Sequence, residues 1–422
     1  MTSQKSYSKK SIIFLCSMVY FVSYFSRKDF AAVMAGMITD GAIARANAGL
    51  VGTMLFAFYG AGQLISGYLG DKIKPGHLII IGLSATALCN ATMPYLPDAG
   101  MIVVWGINGL AQAMLWPPIV KILSNYLDHK TYVTAHLIVT SAAHCATVLL
   151  YAYVPLCLTF MSWQTVFLTA SILAVCSIIV FAVAMSLVLP KDVKAEETHT
   201  KSSTKDANAG IEPSESILSV LRKSGIFTVF VCIVVVGFLR DGIESWLPML
   251  YSEAFNKDVS SSTLVSIILP IFSILSISIV TVLYRKHILE NEVSGSALLF
   301  AISLALAIPL VFFLSMDGAF FRIAALFITA FICASMHGVN FLLISCLPGR
   351  FSKVGRSATV SGVCNSCVYV GAAISTYGIA LVSERMGWSA TAATWCGILG
   401  IGILFAILSY KRYTAMLKAD HK

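Results

Sequence analysis

The chain has 422 residues, of which 58% are hydrophobic and 12% are charged, and its formal net charge is +9. Soluble globular proteins carry about 25% charged residues, so this composition excludes an ordinary soluble enzyme or binding domain. The positive charge could suggest a nucleic-acid partner, but most of it lies on one side of the predicted membrane and therefore indicates topology.

Twelve apolar segments, each about 20 residues or longer, predict twelve transmembrane helices in an all-α membrane protein. The spans are 11–37, 47–69, 77–96, 100–126, 132–155, 163–188, 224–250, 261–284, 294–314, 323–346, 357–382 and 388–410. A polar segment at 191–216 predicts a cytoplasmic linker between two six-helix halves, residues 1–190 and 217–422. The loops on the N-terminal side carry most of the 29 Lys and Arg residues, which predicts cytoplasmic termini.

The first span contains an arginine at a depth where a charge is costly. Arg27 lies sixteen residues beyond Ser11, which is about 24 Å of helix, and insertion there costs roughly 2.5–3.5 kcal/mol. Tyr20, Tyr24 and Arg27 are spaced to share one helix face, which favours a polar cavity over an arginine that snorkels to the surface. Arg240 has the same depth in the seventh span, so each half repeats one buried cation.

The second span carries Tyr59 and Gln63 one turn apart and leads into the segment GYLGDKIKPG. The glycines permit a tight turn between two helices, and Asp71 is suited to a helix N-terminus. With Lys72, this segment resembles the loop between helices two and three of the major facilitator superfamily. That motif is typical of the superfamily and carries no information on substrate.

The fifth span is polar for a membrane helix. Thr140, His144 and Thr147 share a face, and a membrane histidine can change charge near neutral pH. We therefore interpret His144 as a functional residue. His136 on the same span fits a structural hydrogen bond better.

Polar pairs recur in the second half. Arg240 and Glu244 lie one turn apart on the seventh span and are predicted to pair, whereas Asp241 points about 100° away. His337 and Asn340 lie one turn apart on the tenth span. They either line a cavity or join helices by hydrogen bonds.

Several signatures of other functions are absent from the sequence. There is no GxxxxGK[ST] loop for ATP and no nucleophile–base constellation, so neither a pump nor an enzyme is predicted. The pair Cys364 and Cys367 lies inside a predicted membrane helix without other soft ligands. We therefore expect no cofactor and no metal site.

Four segments resemble motifs of the organophosphate:phosphate antiporter family. In the first span, YFSRKDF resembles the family motif Tyr-x-x-Arg-Lys-x-Phe, and in the seventh, LRDGIESWLP resembles Leu-Arg-x-Gly-Ile-x-x-Trp-x-Pro. In the fourth span, WPPIVK resembles Trp-Pro-Pro-x-x-Arg. In the fifth, AAHC lies where the family has Ala-His-Asn. Residues 359–388 also resemble its last two helices. The resemblance implies the major facilitator fold, with two pseudo-symmetric halves of six helices.

The resemblance also implies roles for individual residues. Arg27 and Arg240 would be its paired phosphate-binding arginines, and Lys28 would form ion pairs between the halves. The remaining matches are a helix-five histidine and the tyrosines of the binding site: His144, Tyr20, Tyr24 and Tyr59.

The chain departs from the family pattern in its charged residues. Gln63 stands where some members have a lysine, and Ser245 stands where the family has an acid, with Glu244 one position earlier. Asp29 and Asp241 are extra acids after the two arginine motifs. These differences predict a less cationic cavity.

The interpretation that follows is a monomeric transporter of the cell membrane for a small organic phosphate, of the sugar phosphate or glycerol phosphate class. It would exchange this substrate for inorganic phosphate by alternating access and bind no nucleic acid. Two alternatives stay open. One is a membrane sensor of a sugar phosphate, and the other is a proton-coupled carrier of another organic anion with Asp29 or His144 as the proton site.

Overall fold

A computed structural model of the chain describes residues 9–188, 226–354 and 357–419. Within these ranges, the side chains at 64, 67–72, 129, 130, 133, 186–188, 352–354, 357–359, 418 and 419 are outside the description. The predicted linker 191–216 lies outside the described residues, and so do the side chains of Asp71 and Lys72 at the end of the second helix.

Seven helices cover the first part of the chain. They are α1 Lys9–Thr39, α2 Arg45–Lys72, α3 Pro75–Thr92, α4 Asp98–Ala113, α5 Trp116–Tyr126, α6 His129–Phe160 and α7 Trp163–Val188. The predicted fourth span is thus divided into α4 and α5. Pro117 and Pro118 cause the break, because proline cannot donate a backbone hydrogen bond and is tolerated only in the first turn of the new helix.

Six helices cover the described second part: α8 Ile226–Ala254, α9 Val259–Val265, α10 Ile268–Arg285, α11 Glu292–Phe313, α12 Ala319–Asn340 and α13 Ser357–Ala419. A π-helical turn, Phe341–Cys346, and a 3₁₀ helix, Leu347–Val354, follow α12. The backbone of α13 breaks at Gly387, where φ is +80°, a conformation that glycine adopts without steric cost.

The helices match the twelve predicted spans. Nine segments of the described chain are long and apolar enough to cross a membrane, and the last of them, Val360–Leu417, contains two predicted spans. The two remaining spans fall on α1 and α2, whose 31 and 28 residues exceed the roughly 20 that a bilayer requires. The predicted fold class is confirmed.

Contacts group the described helices into two units. The first contains α1–α7 together with α9, and the second contains α8 and α10–α13. The short α9 belongs to the first unit, where Thr159 on α6 donates a hydrogen bond to Ser260 at 3.4 Å. The boundaries of the two halves at 190 and 217 stay a prediction.

In the second unit, α8 and α13 cross with their backbones in contact. A Cβ atom at Gly237 would overlap the carbonyl oxygen of Val368, and one at Gly371 would overlap that of Val234. Only glycine permits this approach. Arg240 follows Gly237 by about one helical turn.

Candidate functional site

Arg27 lies against two aromatic rings in the first unit. The side chain is 9% exposed, and its Cζ atom lies 4.2 Å from the ring centroid of Tyr24 and 4.9 Å from that of Tyr59. Tyr24 precedes the arginine on α1, and Tyr59 comes from α2. The rings attract the guanidinium through their electron-rich faces and carry no net charge that would neutralise it.

Further aromatic rings extend from Tyr24 toward α5 and α6. The ring of Tyr20 lies 5.0 Å from that of Tyr24 and 4.6 Å from that of Trp116, centroid to centroid. His136 stacks edge-on against Trp116 at 5.2 Å. The predicted face of α1 therefore forms a continuous aromatic group, and His136 belongs to it as a packed ring.

A buried polar layer lies beside Arg27 on α1. The main-chain oxygen of Ser26 accepts hydrogen bonds from the side-chain amides of Asn90 and Asn108, both at 3.2 Å. Asp29 is fully buried, and its Oδ1 accepts from the backbone of Phe30 at 2.8 Å. Among the described residues, Asp29 Oδ2 and the amide oxygens of Asn90 and Asn108 receive no hydrogen bond. The layer therefore has more acceptors than donors.

The other predicted residues of the first unit lie on the same helices. Gln63 is half-buried and follows Tyr59 by one turn of α2. The Nδ1 atom of half-buried His144 lies 3.0 Å from the carbonyl oxygen of Thr140. Because a carbonyl only accepts, Nδ1 carries the proton of this hydrogen bond. Lys28 is half-buried on α1.

Arg240 in the second unit is held by polar partners. Its guanidinium donates to Asp241 Oδ2 at 2.7 Å and to Asn340 Oδ1 at 2.8 Å. The close ion pair of Arg240 is with the neighbouring Asp241, and the charge of Glu244 attracts the guanidinium in addition. The arginine side chain is long enough to bend back to the neighbouring carboxylate, while Glu244 forms a 2.8 Å bond with His337 Nε2.

Helix α12 supplies three side chains next to Arg240 and Glu244. They are Cys333, His337 and Asn340. The thiol of Cys333 lies 3.8 Å from the carbonyl oxygen of Arg240. The ligand atoms of Cys333, His337 and Glu244 all lie within 4.8 Å of one another. Sequence reasoning missed Cys333, although its spacing of four residues from His337 indicates a shared helix face.

A second ionic cluster joins four elements of the second unit. Glu292 at the start of α11 is fully buried and accepts from Arg350 at 2.7 Å. It also accepts from the hydroxyls of Tyr284 and Tyr413, at 2.6 and 3.0 Å. These bonds satisfy a buried carboxylate that would otherwise be costly. This cluster is structural and is separate in sequence from the arginine motifs.

Comparison with protein families matches residues 16–376 to the Major Facilitator Superfamily. A "Probable hexose phosphate transport protein" of Chlamydia muridarum is 23% identical over 91% of this chain and 87% of its own. One with the same description from Chlamydia trachomatis is 31% identical, but the match spans only 29% of this chain and 27% of that protein.

Two other similarities cover nearly the whole chain. The "Membrane sensor protein UhpC" of Salmonella typhimurium is 21% identical over 95% of this chain and 91% of its own. The crystal structure of the nucleoside transporter NupG superposes with a TM-score of 0.71 at 15% identity, covering 96% of this chain and 99% of that structure.

Proposed function

This chain belongs to the Major Facilitator Superfamily, and from that premise we propose that it transports a small organic phosphate across the cell membrane in exchange for inorganic phosphate. The sugar phosphate or glycerol phosphate class fits best. Relatives described as hexose phosphate transport proteins support this proposal. So does the family membership itself, which places the chain among membrane transport proteins rather than enzymes.

One observation carries the proposal: Arg27 is buried in α1 against the faces of Tyr24 and Tyr59. A guanidinium binds phosphate through two parallel hydrogen bonds, and such bonds are stronger where water is excluded. The rings exclude water without supplying a competing negative charge. Arg27 is thus suited to an oxyanion such as phosphate, two of whose oxygens can accept the two parallel hydrogen bonds.

Arg240 has a different role in this proposal, because it already donates to Asp241 and Asn340. A phosphate must compete with the Asp241 carboxylate for the same donors. While phosphate displaces Asp241, the amide oxygen of Asn340 can keep its hydrogen bond to the Arg240 guanidinium and hold the guanidinium in its orientation. The affinity of Arg240 for phosphate is therefore reduced by the free energy of the Asp241 contact.

We further propose that both arginines bind the same phosphate group, as the repeat of one buried arginine per half suggests. Binding would then neutralise two like charges and favour closure of the halves around the substrate, as in alternating access. Without a substrate the two cations would repel each other, which favours exchange over one-way transport.

The remaining predicted residues take supporting roles in this proposal, in a monomer with both termini in the cytoplasm. Lys28 and Glu244 are assigned to gating, with Asp71 and Lys72 in the loop after α2. Substrate contacts are assigned to side chains near the two arginines: Tyr20, Gln63, His144 and His337.

Reconstitution tests the proposed exchange. Purified protein in liposomes loaded with labelled phosphate should release the label when an organic phosphate is added outside. Carboxylates of similar size should not drive release, because their planar anion lacks the third oxygen and second charge of a phosphate. Release by carboxylates but not by organic phosphates would contradict the proposal.

A sensor is the second candidate, because the UhpC sensor protein is similar over 95% of this chain. A sensor would bind the organic phosphate without moving it. Phosphate-ester binding to the purified protein, combined with no release of label from liposomes, would favour the sensor. Binding together with release would favour the transporter.

A further inference from the structure

We propose that Glu244, Cys333 and His337 form a binding site for a divalent transition-metal ion of the Zn²⁺ class. The sequence alone predicts no metal site in this chain. The three side chains meet only after α8 and α12 pack against each other. The site shares Glu244 and His337 with the proposed transport function, but its geometry is argued from the three ligands alone.

The types of ligand fit zinc. Zn²⁺ prefers the thiolate, imidazole nitrogen and carboxylate oxygen that this cluster combines, and sites with three protein ligands hold water in the fourth position. Cys333 and His337 are four residues apart on α12, a spacing that puts two ligands on one helix face. Glu244 supplies the third ligand from α8.

The distances also fit. All three ligand atoms lie within 4.8 Å of one another, and Glu244 and His337 are 2.8 Å apart. With bonds of about 2.0–2.3 Å, ligand atoms of a tetrahedral zinc site lie about 3.3–3.8 Å apart. The 2.8 Å contact must therefore open by about 0.5 Å, and a pair at the 4.8 Å limit must close by about 1 Å. Rotation of side chains achieves such shifts without moving the helices.

The side chains combine a buried ligand with accessible ones. Cys333 is fully buried, whereas the side chains of Glu244 and His337 are 16% and 14% exposed. An ion can therefore reach these two partly exposed ligands first and then the thiol. The buried sulfur gives the site its preference for a soft or borderline metal over Mg²⁺ or Ca²⁺.

The local charges also balance when the ion is bound. Arg240 and Asp241 already neutralise each other through their 2.7 Å ion pair. The two charges of the ion would be matched by the Glu244 carboxylate and the Cys333 thiolate. Binding would release the thiol proton and any proton held between His337 and Glu244. The positive guanidinium therefore does not prevent binding.

Occupation of the site would connect α8 to α12 directly. His337 lies three residues before Asn340, which holds Arg240. A metal bridge would therefore restrain the two helices that carry Arg240 and its hydrogen-bond acceptor Asn340. If the chain is an exchanger, micromolar Zn²⁺ should inhibit phosphate release from liposomes.

Titration of purified protein with Co²⁺ tests the site directly. Cobalt bound to a thiolate gives a strong sulfur-to-metal charge-transfer absorption, so the spectrum identifies a cysteine ligand. We expect one Co²⁺ per chain and displacement by Zn²⁺. Cys333→Ser should remove the charge-transfer band, and His337→Gln should weaken binding by at least about 10-fold.

Cys364→Ser is the matched control, because Cys364 is another fully buried cysteine but lies on α13 outside the cluster. Its spectrum should equal that of the wild type. A band that survives Cys333→Ser, or no Co²⁺ binding by the wild type, would overturn the proposal. Cys333→Ala serves as a second variant, and each variant is compared by thermal unfolding in the absence of metal. Cobalt binding without phosphate release would retain the metal site and reject the transport proposal.

Discussion

The two units each present one arginine that is largely shielded from solvent, but the side chains around it differ in kind. Arg27 lies between the faces of Tyr24 and Tyr59, whereas Arg240 donates to the Asp241 carboxylate and the Asn340 amide. Aromatic faces attract a guanidinium without neutralising it. A carboxylate neutralises it and competes with any incoming anion. The internal repeat therefore preserves the depth of the arginine but not the side chains that contact it.

The difference concerns what an incoming phosphate must displace. At Arg240 it must compete with the Asp241 carboxylate, whereas the tyrosine rings at Arg27 carry no negative charge. Variants that remove one of these contacts show how far each controls binding.

Asp241→Asn should have the largest effect, because it removes the carboxylate that accepts from the Arg240 guanidinium, which is only 13% exposed. Breaking a buried ion pair by removing one partner costs about 3–5 kcal/mol of folding stability. Phosphate should restore much of this loss, since it replaces the missing anion. Thermal unfolding with and without phosphate should therefore show a larger ligand-induced shift than in the wild type.

Asp29→Asn is the matched control for that experiment. Asp29 also follows an arginine motif, but it is buried and accepts from the backbone of Phe30. Its replacement should leave the phosphate-induced shift of the wild type unchanged. Equal shifts in both variants would show that the Asp241 contact does not compete with phosphate.

Replacing either arginine by lysine should weaken phosphate binding through loss of the planar fork. Charge-assisted hydrogen bonds contribute roughly 1.5–3 kcal/mol, so the expected loss is about 10- to 150-fold. Both variants should show this loss. Equilibrium binding to the purified variants measures both.

The double lysine variant tests whether the two arginines bind one phosphate. Two residues that act on one ligand should give losses that are not additive. Normal binding by Arg240→Lys alone would reject the shared-ligand model. In that case Arg240 would serve only the contacts with Asp241 and Asn340.

Removal of one ring should have a smaller effect. Tyr59→Leu deletes a cation–π contact worth about 0.5–2 kcal/mol and should weaken phosphate binding by about 2- to 30-fold. Tyr59→Phe keeps the ring and should bind nearly as the wild type does. If both variants bind phosphate equally weakly, the hydroxyl of Tyr59 rather than its ring face supports Arg27.

Gln63→Lys should have the smallest effect and the opposite sign. A lysine one turn from Tyr59 adds a cation near Arg27 and should tighten phosphate binding by about 1 kcal/mol or less. This gain should be larger at low ionic strength, because salt screens partly exposed charges. An unchanged affinity in a folded variant would mean that Gln63 faces away from the anion.

Features that depend on spacing along one helix could be predicted from the sequence. The depth of the arginines and the grouping of Tyr20, Tyr24 and Arg27 follow from helical geometry and apolar length. The sequence predicts one span where the structure has α4 and α5, although the two prolines that cause the break, Pro117 and Pro118, are visible in it.

Features that depend on contact between helices could not be predicted. The contact between Glu244 and His337 forms because α12 packs beside α8, and spacing along α8 alone does not predict it. Cys333 enters the cluster by the same packing. The ring of Tyr59 was assigned to the site by family resemblance alone, since spacing says nothing about which residues of α2 meet α1.

The close crossing of α8 and α13 has a mechanical consequence. Contact between the backbones at Gly237 and Gly371 makes this point the pivot for any tilting of α8. Arg240 lies about 4.5 Å along the helix from Gly237, and the end of α8 at Ala254 lies about 25 Å away. A given tilt therefore displaces the end of α8 five to six times as far as it displaces the backbone of Arg240. Large movements at the membrane surface can then proceed while the guanidinium stays almost in place.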